Sequence, residues 1–159
     1  AYTRELGEVL GQRYEEDTVL MSTQLVAHVL FRGLVRATPG MDLFARLRLR
    51  GEIGVDCDAL YRELGDTRDR LLALERKGRV RTSEVIKEDS PQELLGRALS
   101  FCNGYHDSTA ATRQGDRIII GDPSLLLYYQ NRLVPFAEDI ADAEHLEAAR
   151  EIEKLGVHR

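Results

Sequence analysis

The sequence predicts a mainly α, multi-helix domain carrying one small β-hairpin, a winged-helix-like element. Three observations lead there. Apolar residues recur at helical spacing through most of the 159 residues, and capping and stop signals punctuate those stretches. One segment, 109–120, reads instead as two short strands around a glycine-containing loop. With 43% hydrophobic and 31% charged residues, the chain can build one ordinary core, so residues 1–159 are read as a single domain.

Taken in order, Leu6, Val9, Leu10 and Arg13-Tyr14 give a helical period over about residues 3–15. Glu15-Glu16-Asp17 follow, acid suited to the start of a next helix. From Ser22, residues Leu25, Val26, Val29, Leu30, Gly33 and Leu34 form a wide buried stripe that Pro39-Gly40 ends. Leu43, Phe44 and Leu47 suggest a short connector helix before Gly51 and Gly54 break the pattern. Asp56 or Asp58 caps the next helix, where Leu60, Leu64, Leu71 and Leu74 share a face and Lys77-Gly78 closes the end.

Ser90-Pro91-Gln92-Glu93 is a capping box with proline at N1, opening a helix through Leu94, Leu95, Ala98, Leu99 and Cys102 that ends near Asn103-Gly104. Residues 109–113 and 117–120 then flank Gln114-Gly115-Asp116, a hairpin with a three-residue loop. Asp122-Pro123 starts a last helix in which Leu126, Tyr129, Leu133, Phe136, Ala137 and Ile140 share a face, interrupted at Pro135. An acidic helical tail is expected over 142–155.

The balance of 22 basic against 27 acidic residues, a net charge of −5, disfavours nucleic acid as a partner over a large face. Cys57 and Cys102 have no metal spacing and allow one bridge at most, which makes a reduced, cytoplasmic setting the expectation. No stretch reaches the roughly 20 apolar residues of a membrane-spanning helix.

Two motifs add a family resemblance. Leu126-Leu127-Tyr128-Tyr129-Gln130-Asn131-Arg132 resembles the LxYYRNN stretch near the C-terminal end of the glycerol-3-phosphate acyltransferases, with Gln130 and Arg132 where the family has Arg and Asn. The run from Met21 through Ser22-Thr23-Gln24-Leu25-Val26-Ala27-His28-Val29-Leu30 is similar to the helix that follows that family's catalytic part. With 60–80 between them, the resemblance covers about residues 18–140.

Acyl transfer in that family uses His-x-x-x-x-Asp, in which the carboxylate orients a histidine that deprotonates the acceptor hydroxyl. Here Gly33, Ala111 and Arg150 stand five residues after His28, His106 and His145, and only Arg159 follows His158. The resemblance therefore implies a C-terminal accessory domain, expressed as a fragment, with no catalytic residues or cofactor of its own. The start at Ala1-Tyr2-Thr3-Arg4, without Met or the plan of a signal peptide, fits that expectation. The parent enzyme would pass acyl groups from acyl-CoA or acyl carrier protein to glycerol 3-phosphate at the cytoplasmic face of the membrane. Its catalytic domain is the implied partner.

Tyr128, Tyr129, Asn131 and Arg132 are the candidate interaction residues. The plainer alternative is a structural clamp between helix and hairpin, with buried rings, edge hydroxyls and Asn131 bonded to a neighbouring loop. Arg46, Arg48 and Arg50 are candidates for contact with an anionic membrane surface at about 1 kcal/mol each, against a solvated face or pairing with Glu52 and Asp56. His28, in the middle of an apolar stripe with Arg32 as its nearby charge, reads as a hydrogen-bonded core residue; no metal site is expected.

A rival reading is a winged-helix module for protein interaction or DNA binding, with Arg113 and Arg117 on the wing. Its candidate recognition helix, 58–77, alternates charge sign, which favours a protein partner over DNA.

Overall fold

The computed structural model describes residues 2–141, and the expected tail helix lies outside them. Helix α1 (Tyr2–Asp17) continues through Glu15-Glu16-Asp17, so this acid sits in its last turn rather than opening the next helix. Strand β1 (Val19–Leu20) leads into α2 (Ser22–Ala37), the centre of the fold. Met21 is extended ahead of it, and its N–H donates to Gln24 Oε1 at 2.9 Å. Leu25, Val26, Val29, Leu30 and Leu34 are all buried, and α2 packs against three other helices. Its end falls at Thr38, before Pro39 and Gly40, the latter in the left-handed region at φ 76°.

Next come α3 (Leu43–Leu47), β2 (Ile53–Asp56) and α4 (Cys57–Arg76). Asp56 is the cap of α4, accepting from the Ala59 N–H at 2.8 Å. Leu60, Leu64, Leu71 and Leu74 all face the core as expected, each such side chain stabilising by about 1.5–3 kcal/mol. Gly78 turns the chain at φ 73°. Strand β3 (Arg81–Thr82) pairs in parallel with β1, and α5 (Glu84–Glu88) follows. Helix α6 (Pro91–Tyr105) begins with the capping box: Ser90 Oγ accepts from Glu93 N–H while Glu93 Oε2 accepts from Ser90 N–H.

The hairpin of β4 (Ala111–Gln114) and β5 (Arg117–Ile120) has a two-residue loop rather than three, because Gln114 pairs with Arg117 inside the ladder. Gly115 at φ 62° takes the left-handed first position of that turn. Strand β2 adds to β5 in antiparallel register, Ile53 opposite Ile120, giving the order β2-β5-β4. Gly51 and Gly54 thus border and enter a strand rather than only ending a helix. Gly33 on α2 lets this sheet approach, since a Cβ there would stand 3.1 Å from Val55 Cγ2.

Helix α7 (Pro123–Gln130) passes into a 3-10 segment (Asn131–Phe136) containing Pro135, then α8 (Ala137–Ile140). The interruption expected at Pro135 thus begins a turn earlier, and Leu126, Leu133, Phe136 and Ile140 still reach the core.

The fold is mainly helical with a small antiparallel sheet. From α2 on, the elements α2, β2, α4, α6, β4 and β5 run helix, strand, helix, helix and wing, with the short α3 inserted between α2 and β2 and with β3 and α5 inserted between α4 and α6. The helix that directly precedes the hairpin in this order is α6, whereas residues 58–77 lie in and just after α4.

Candidate docking face and polar pocket

Asp122 builds the start of α7: its Oδ1 accepts from Ser124 N–H at 3.0 Å and its Oδ2 from Ser108 Oγ at 2.8 Å. Pro123 at N1 needs no hydrogen-bond partner there. The helix so placed carries the four signature residues. Tyr129 packs against the core, while Tyr128 is 68% exposed and Asn131 and Arg132 are exposed.

Tyr129 directs its hydroxyl to the end of α6 rather than to the hairpin. There it lies 2.7 Å from Nε2 of His106, and burial pushes its pKa up. Among the described residues, the Asn131 side chain bonds to no backbone group. That role belongs to Asn103, which donates from Nδ2 to Ala111 O and accepts at Oδ1 from Ala110 N–H, both at 3.0 Å.

From this pair a row of rings extends across two helices. Tyr128 and Tyr129 meet edge to face at 5.2 Å between centroids, and Tyr129 meets His106 at 5.7 Å. His106 meets Tyr105 at 6.4 Å, and Tyr105 stacks on Phe101 at 5.3 Å with 18° between planes. Tyr105 is 76% and Phe101 49% exposed, so the row is a surface strip rather than a core. Sequence reasoning passed over Phe101 and Tyr105 and weighed His106 only against the His-x-x-x-x-Asp pattern. The available signal was Phe101 and Tyr105 at i and i+4, off the apolar stripe of Leu94, Leu95, Ala98 and Cys102.

Beside Tyr128 and Tyr129, with Asn131 and Arg132, the first turn of α2 contributes Gln24 to a pocket of about 330 Å³. Among the described residues, no carboxylate lines it. A second groove of about 270 Å³ between α2 and α4 differs in kind: Arg36, Arg62 and Arg70 there face Glu63 and Asp66, and Arg36 is bridged to Glu63.

The arginines of 46–50 diverge. Arg46 donates to Thr38 Oγ1 at 2.9 Å and to Thr38 O at 3.1 Å, Arg50 stands 3.7 Å from Asp122, and Arg48 is exposed. The partners are therefore Thr38 and Asp122, not Glu52 and Asp56.

His28 is buried, but among the described residues neither ring nitrogen completes a hydrogen bond, in contrast to the expected hydrogen-bonded core residue. Burial first, then the charge of Arg32, lowers its pKa to about 4; the Gln130 amide lies close enough to oppose this slightly, without good bonding geometry. His28 is neutral near pH 7.

Among the described residues, no group of three or more His, Cys, Asp or Glu side chains could hold a metal ion. Burial raises the pKa of the Cys102 thiol, away from the thiolate form a nucleophile needs. No helix of the described residues is long and apolar enough to cross a membrane. Comparison with family models, curated proteins and solved structures found no match.

Proposed function

We propose that this chain is a winged-helix-like docking module, the non-catalytic C-terminal accessory domain of a glycerol-3-phosphate acyltransferase. It packs on the parent enzyme's catalytic domain at the cytoplasmic face of the membrane. The observation carrying the docking role is the exposed aromatic row from Phe101 to Tyr128. Tyrosine and arginine are the residues on which binding energy concentrates at protein interfaces. Rings already stacked on one another lose little freedom when a partner covers them. The family assignment rests on the sequence motifs at 21–30 and 126–132.

The helix order favours one alternative, a winged-helix module for protein interaction or DNA binding outside any acyltransferase. For DNA the helix directly before the hairpin, α6, is poorly equipped. Its exposed face offers Arg97, already 2.9 Å from Asp89, beside Glu93, Phe101 and Tyr105. A DNA-reading helix needs several basic contacts to offset a chain charge of −5.

The test is a pull-down and calorimetric titration of this domain against the separately expressed catalytic domain of the parent enzyme. Wild type is compared with Phe101→Ala, Tyr105→Ala, Tyr129→Ala and Arg132→Ala. Binding weakened by the first two substitutions, with melting temperatures retained, supports docking through the strip. Salt-dependent DNA binding with no affinity for the catalytic domain would reverse the ranking.

A further inference from the structure

We draw no further inference here: the strongest candidate, the exposed apolar face that Tyr2, Leu6, Val9 and Leu10 form along α1, is an unpartnered helix face, and nothing among the described residues shows what covers it.

Discussion

Replacing Asn103 with alanine should cost the domain about 2–4 kcal/mol, because two deeply buried backbone groups each lose a partner worth about 1–3 kcal/mol. Ala110 and Ala111 are both fully buried. Gly121 N–H donates to Ala110 O, so by the alternation of an antiparallel ladder Ala111 and Ile120 form a non-hydrogen-bonded pair. The Ala111 carbonyl therefore points away from β5, and Asn103 Nδ2 meets it. The Ala110 N–H is met by the other end of the same amide. The estimate is set below the sum of two full penalties because Asn103 itself is only half-buried and water can reach one of the freed groups. Urea unfolding at pH 7 followed by far-UV circular dichroism measures the loss. Asn103→Asp sharpens the test. Its carboxylate keeps an acceptor for Ala110 N–H but turns oxygen against the Ala111 carbonyl, so the folded state favours the protonated acid. A carboxyl pKa raised on folding makes stability fall as pH rises above the unfolded value of about 3.9. Asn103→Asp should thus be closer to wild type at pH 4 than at pH 7. An alanine variant within about 0.5 kcal/mol of wild type, the usual effect of a plain surface change, would refute this account of the wing's attachment.

Two further outcomes follow from buried positions. His28 has its pKa lowered on folding from 6.5 to about 4, so the folded state binds fewer protons than the unfolded one. Stability is complete above pH 6.5 and falls as pH drops toward 4, by up to about 3 kcal/mol at 1.36 kcal/mol per unit; His28→Leu should flatten this limb of the stability curve, measured by urea unfolding at several pH values. Gly121→Ala should destabilise by about 1–3 kcal/mol through overpacking, since its Cβ would meet the Thr109 carbonyl oxygen at 2.3 Å; thermal melting is the readout, and an unchanged midpoint would mean the wing shifts freely.

The helices were legible because each is specified locally. Ser90-Pro91-Gln92-Glu93 writes a helix start into four consecutive residues, and the leucines at 60, 64, 71 and 74 define a face whatever lies opposite. Strand β2 was not legible for the opposite reason. Ile53 and Val55 flank a glycine, and what makes the segment a strand is pairing with residues 117–120, more than 60 positions away. The hairpin is legible but its expected loop is one residue too long, since only the register shows that Gln114 pairs with Arg117. At the site, Tyr128 and Tyr129 stood out as a motif. Their neighbours Phe101, Tyr105 and His106 did not, because the row exists only once α6 and α7 are brought side by side. Gln24 was hidden further still, quoted within a helix motif about a hundred residues before the pocket it lines.

The wing is held by apolar side chains, Ile118 and Ile120 among them, and also by a set of directional polar bonds, and it is the polar set that bears on function. Asn103 ties β4 to α6, Ser108 and Arg50 converge on Asp122 at the head of α7, and the Gly51 N–H donates to Ile120 O beside β2. The wing, the end of α6 and the start of α7 are thereby joined by specific directional bonds. That is the region where the aromatic row runs. Phe101, Tyr105 and Tyr128 contribute little to these bonds, since they stand on the surface above them. Their substitution should change what the surface binds and leave the melting temperature nearly unchanged, while substitutions at Asn103 or Asp122 should affect both. A strip maintained only for stability would not separate in this way, so the comparison of binding and melting across the two sets distinguishes a docking face from a structural one.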